Sequence, residues 1–125
     1  MPEGPHVERS FIATGSVEPG PGGLTTPSLN DLIEFAIVNQ WSGGSGFYRV
    51  GVSVQDKDDV PVPIVVGDEA VVRHTVAYDF QPNKPPLRQY LDVEMRPRDW
   101  GEVFVCLDVN GVEVHRYPVR IVRAA

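Results

Sequence analysis

Hydrophobic and polar residues alternate along most of this chain, and alternation marks a strand with one buried face. The clearest early run is Tyr48, Val50, Val52 and Val54 against Arg49, Gly51, Ser53 and Gln55. Ser28 to Asn39 reads as another segment, with Ile33, Phe35 and Ile37 on one face and Glu34, Ala36 and Val38 on the other. Ser28-Leu-Asn-Asp would also cap a helix over Leu29 to Phe35, but the alternation and the β-branched content favour strand. Glu69 to Asp79 places Val72, His74, Val76 and Tyr78 opposite Val71, Arg73, Thr75 and Ala77. Leu87 to Arg96 sets Leu91, Val93 and Met95 against Asp92, Glu94 and Arg96. Val103, Val105, Leu107 and Val109 then run into Asn110-Gly111, and Val112 to Val122 run back. Asn-Gly between two alternating runs predicts a hairpin with a type I′ turn, whose two central residues both take positive φ.

Between these runs lie breakers. The first thirty residues hold five Gly and five Pro, with Gly20-Pro21-Gly22-Gly23 at the centre. Such a stretch supports no helix and only short extended pieces, of which Arg9 to Thr14 is the one candidate strand. Residues 1–27 therefore read as an arm, and residues 28–125 as one folded domain. Trp41 to Gly46 reads as a flexible connector, Asp56-Lys57-Asp58-Asp59 as a polar turn, and residues 60–66, with Pro61 and Pro63, as an edge strand or extended loop. Pro82, Pro85 and Pro86 make the next link stiff. About seven strands of this length, spaced by turn signals, predict an all-β fold. The architecture expected is an antiparallel two-sheet sandwich of immunoglobulin-like character, with a closed barrel as the alternative.

Composition agrees with sheet. Twenty-one valines stand against twelve leucines and alanines together, within 125 residues. That length suits a single domain. No apolar run approaches the roughly 18 residues of a transmembrane helix, and no signal-peptide pattern opens the chain. The single cysteine, Cys106, excludes an internal disulfide and a four-thiolate zinc site. These features place the expectation in the cytoplasm, or in a particle assembled there. The net charge of −6 argues against nucleic acid. It is unevenly spread: residues 1–72 carry ten acids and three bases, residues 73–125 seven acids and eight bases.

Three stretches carry a resemblance. Gly46-Phe-Tyr-Arg-Val-Gly-Val-Ser-Val-Gln-Asp, then Gly101-Glu-Val-Phe-Val-Cys-Leu-Asp-Val-Asn-Gly, then Tyr117-Pro-Val-Arg-Ile-Val resemble uncharacterised bacterial immunoglobulin-like β-sandwich domains, over about residues 32–122. Asn110-Gly stands here for the Asp-Gly of that pattern, and Val103 where it favours tyrosine. The resemblance implies a fold and no activity, so it carries no site residue with it.

The chemistry-bearing residues are sparse. Phosphate-loop, nucleophile-elbow and zinc-protease motifs are missing from the sequence. Asp56, Asp58 and Asp59, with Asp68 and Glu69 nearby, are the calcium candidates. Aspartates in a turn more often bond backbone amides, and Lys57 sits among the would-be ligands. His6, His74 and His115 have no partner at metal spacing, although His74 and His115 would meet if their strands were neighbours. Cys106, within an apolar strand, reads as buried and inert. Trp41, Trp100, Arg116 and Arg120 are the candidates for an interaction surface, with core packing of the tryptophans and cross-strand ion pairs of the arginines as the plainer readings.

The expectation is a non-catalytic protein-interaction or structural module, a component of a larger assembly, with no cofactor. Its partner would be another protein or a second copy, through the arm, rather than nucleic acid, membrane or a small molecule. The alternative is a sandwich that binds calcium, carbohydrate or another small ligand at its strand-end loops, in a cleft between the Asp56–Asp59 turn and Trp100.

Overall fold

A computed structural model describes residues 4–14, 23–81 and 84–123. The centre of the expected arm, and Pro82, lie outside the described residues. The strands are β1 (His6–Ala13), β2 (Gly23–Thr26), β3 (Ile33–Ser42), β4 (Gly46–Asp56), β5 (Ile64–Val66), β6 (Glu69–Val71), β7 (His74–Phe80), β8 (Leu87–Met95), β9 (Gly101–Val109) and β10 (Val112–Arg123). They form two five-stranded sheets. The first runs β1-β3-β8-β5-β6 and the second β2-β10-β9-β4-β7. Every pairing is antiparallel except β2 with β10. The chain folds as an all-β sandwich of two sheets, its leading strands divided between them.

Alternation places the core between the sheets. Val50, Val52 and Val54 of β4 face Ile37, Leu91, Val93 and Met95 from the first sheet within one apolar cluster, and all are buried. The predicted hairpin joins β9 to β10. Asn110 and Gly111 take φ of 50° and 86°, as a type I′ turn requires. Asn110 is also tied to β4: its amide donates to the Arg49 carbonyl at 2.7 Å, and its Oδ1 accepts from the Arg49 amide at 2.9 Å.

Four expectations need correction. Ten strands form rather than about seven, because short pieces pair at the sheet edges. Glu69 to Asp79 is not one strand: it breaks at Val72 and Arg73, and β6 joins the first sheet while β7 joins the second. Alternation runs unbroken through this crossing, so periodicity does not reveal it. The strand read from Ser28 begins only at Ile33; Ser28 to Asp31 is a turn closed by the Asp31 amide on the Ser28 carbonyl, 3.2 Å. Trp41 belongs to β3 and not to a connector.

The ends of the stretch read as an arm carry sheet structure. β1 pairs along β3 from His6↔Ser42 to Ala13↔Ala36, with a bulge between Val7 and Arg9. β2 pairs along the end of β10, from Gly23↔Arg120 to Thr26↔Arg123. Ile12, Ala13 and Leu24 are buried.

Candidate interaction surfaces

The strand-end cleft anticipated between the acidic turn and Trp100 does form. It is a hollow of about 200 Å³ lined by Asp56, Lys57, Asp58, Arg98, Trp100 and their neighbours. Asp56, which lines it, and Asp59 in the same turn are already engaged. Asp56 Oδ1 accepts from the amides of Asp58 (2.8 Å) and Val60 (3.0 Å), an Asx-type closure of the turn, while its Oδ2 lies 3.5 Å from Arg98. The Val60 amide, then the Asp58 amide and Arg98, hold the Asp56 carboxyl below its usual range. Asp59, at φ 61°, accepts from Arg116 at 2.7 Å. A calcium ion would have to displace two arginines and two backbone amides. Among the described residues no three His, Cys, Asp or Glu side chains converge as metal ligands.

The remaining candidates disperse. Trp41 has no exposed surface, which corrects its reading as part of an interaction surface. It closes one end of the core, and its Nε1 donates to Gln89 Oε1 at 3.2 Å. A buried polar chain continues from there. Asn39 Nδ2 donates to the same Gln89 oxygen (3.0 Å), and Ser10 Oγ bonds both Asn39 Oδ1 (2.5 Å) and the Tyr117 hydroxyl (3.0 Å). Burial pushes the Tyr117 hydroxyl up to about 12. Trp100 lies under the Arg123 guanidinium at 4.9 Å, beside Arg120 in an open, largely apolar hollow. Arg116 is spent within the protein, on Asp59, Glu113, Gln55 and the Phe104 ring. His74 and His115 stand on β7 and β10, with β4 and β9 between them, so the two do not meet. His6 sits in β1 and its Nε2 lies 3.0 Å from Ser42 Oγ. Cys106 is buried, and burial pushes its thiol up to about 11.

The outer face of the first sheet holds a larger concavity of about 500 Å³. Register builds it. Ala13 lies opposite Ala36, Ala36 opposite Asp92, Glu34 opposite Glu94, and Val38 opposite Tyr90. Small side chains at Ala13 and Ala36 make the floor, and the exposed Tyr90 makes one wall. Glu34, Asp92 and Glu94 ring the floor, and among the described residues none of them has a salt-bridge partner. Two glutamates directly across a strand pair repel, and such an arrangement is destabilising by itself. Sequence reasoning placed Glu34 with Ala36 and Val38, and Asp92 with Glu94, on outward faces. It missed that β3 and β8 are neighbours, and so missed the groove.

No family profile and no curated protein sequence matches the chain. Solved structures do resemble it. A glycosyl hydrolase family 2 member from Bacteroides cellulosilyticus DSM 14838 matches over 92% of this chain, with a TM-score of 0.56 and 15% identity. This chain spans only 15% of that enzyme's length. An immunoglobulin-like protein from Pseudomonas aeruginosa matches over 95% of this chain and 97% of its own, with a TM-score of 0.46 and 10% identity. The alkylpurine DNA glycosylase AlkC from Pseudomonas fluorescens matches over 96% of this chain and 30% of its own, with a TM-score of 0.49 and 11% identity. At such identities the likeness to the glycosyl hydrolase member concerns the fold alone.

Proposed function

We propose that this protein is a non-catalytic interaction module whose first sheet receives a cationic segment of a protein partner on its outer face. One observation carries the reading. Glu34 and Glu94 oppose each other in register around a small-residue floor, with Asp92 beside them and no arginine or lysine in salt-bridge contact among the described residues. Asp56, Asp59, Asp108 and Glu113 each have an arginine, and Glu34 and Glu94 differ from the other acids without one in standing directly opposite each other across a strand pair. Uncompensated repulsion across one strand pair is relieved when a partner supplies the positive charge. Tyr90 adds a flat apolar wall against which an arginine can stack.

The test is calorimetric titration with a short Arg/Lys-rich peptide, against an Asp/Glu-rich peptide of equal length. Saturable binding of the cationic peptide that weakens with salt and disappears in Glu34→Gln/Glu94→Gln supports the reading. Equal binding by that double variant refutes it.

A further inference from the structure

We infer that β7 is the edge through which two copies of this chain join, antiparallel, into one continuous sheet. The inference goes beyond the proposed cationic contact, because it uses the opposite sheet. A sheet edge is a row of unpaired backbone donors and acceptors, and proteins usually blunt it with bulges, proline, charge or brevity. The other edges here are blunted, including the stretch 87–93 of β8, which β5 leaves open among the described residues and which carries the exposed charges of Arg88 and Asp92. β1 carries the bulge between Val7 and Arg9. β6 has three residues and β2 four, and the part of β10 that β2 leaves uncovered contains a bulge between Glu113 and His115, and Pro118. β7 is the exception. Its seven residues, His-Thr-Val-Ala-Tyr-Asp-Phe, contain no proline, glycine, lysine or arginine. Its ladder to β4 runs in register from Val52↔His74 to Gly46↔Phe80, and among the described residues it pairs with no other strand.

The strand is also self-complementary. Pairing a copy about a two-fold axis at Ala77 keeps inward residues opposite inward ones and uses the full strand, as strand periodicity demands. Val76 then faces the other copy's Tyr78, His74 its Phe80, and Thr75 its Asp79. These are an aromatic with a β-branched residue, two rings, and a hydroxyl with a carboxylate, so no like charges oppose. The exposed Ala77 meets itself on the axis, with no bulk to hold the strands apart. Val76 and Tyr78 are only half-buried in the single chain, and a neighbouring strand would cover what remains. The isologous contact is the commonest form of self-association.

The experiment is light scattering over a concentration series, with two variants of the full chain. Wild type should approach twice its 13.8 kDa at high concentration, and more completely at high salt, because each copy carries −6. That salt response is opposite in sign to the one expected of cationic-peptide binding, so the two proposals fail separately. Ala77→Lys sets two ammonium groups on the axis and should give 13.8 kDa throughout, with an unchanged far-UV circular dichroism spectrum. Ala77→Cys should form a disulfide dimer with diamide, because paired strands bring opposed Cα atoms to about 4.5–5.5 Å, within disulfide reach. Asp79→Cys, displaced from the axis, should not, and wild type with its buried Cys106 sets the background. A wild-type chain that stays monomeric at every concentration overturns the inference. So does a dimer that survives Ala77→Lys and is not captured by Ala77→Cys.

Discussion

Gly51 sits in the middle of β4, laddered to Thr75 on one side and Asp108 on the other, and Arg73 reaches over it to Asp108. The contact is bidentate: Arg73 Nε donates to Oδ2 at 2.8 Å and its Nη2 donates to Oδ1. A Cβ at position 51 would lie 2.7 Å from Arg73 Nε and nearer still to the Asp108 carboxylate. The strand cannot retreat, because both its neighbours hold it, so in Gly51→Ala the bridge must open. The Arg73 side chain is 38% exposed and solvent screens it, so the pair itself contributes about 1 kcal/mol or less. The larger cost is Asp108, whose side chain is 12% exposed and would lose its partner, at about 1–3 kcal/mol. Alanine's better strand propensity offsets about 0.5–1 kcal/mol, leaving a net loss of about 1–2 kcal/mol. Unfolding entropy for a chain of this size is about 0.26 kcal/mol/K, so Tm should fall by about 4–8 °C. Calorimetric melts of Gly51→Ala should be compared in wild type and in an Arg73→Gln/Asp108→Asn background. In that background the substitution should be neutral or slightly stabilising, because nothing charged crosses the strand. An equal loss in both backgrounds would sink the argument that the bridge is what excludes a side chain.

Other perturbations probe the core and its polar chain. Deleting residues 1–13 removes β1 from the edge of β3 and uncovers the core beneath Ile12, so cooperative melting should be lost; a truncated chain melting at the wild-type temperature contradicts this. Trp41→Ala should cost about 3–5 kcal/mol, and Trp41→Phe about 1–2 kcal/mol, read from denaturant midpoints, because the ring fills the core and its Nε1 bonds Gln89. Alkaline pH should destabilise the fold through Tyr117 and Cys106. Their ordinary values of 10.0 and 9.0 are raised to about 12 and about 11 by burial, so the unfolded chain releases these protons first. Stability from these groups is intact below about pH 9 and is lost as pH rises through the folded values. Tyr117→Phe/Cys106→Ser should reduce the slope of midpoint against pH between 9 and 12, and an unchanged slope would refute the assignment. Iodoacetamide should label Cys106 at pH 8 only as fast as the chain opens, and rapid labelling of the folded protein contradicts its burial.

What the sequence determined by itself is what is local. Alternation assigned the inward faces of β4, β8 and β9, because side chains in a strand point to opposite sides in turn, whatever the neighbours. Asn110-Gly111 determined its hairpin, because few residue pairs accept two positive φ values in succession. Asp56, the last residue of β4, closed the following turn on its own backbone. Strand order was decided only in three dimensions, because it depends on pairings between distant segments that periodicity does not encode. So the crossing at Val72 and Arg73 and the separation of His74 from His115 were not legible. The same holds for function. Glu34 and Glu94 are sixty positions apart and become a repelling pair only because β3 lies against β8. Gly51 is an ordinary gap in an alternating run until Arg73 and Asp108 meet across it. The pattern of valines made a sandwich of this chain, and the order in which its strands lie side by side decided which of its surfaces can be used.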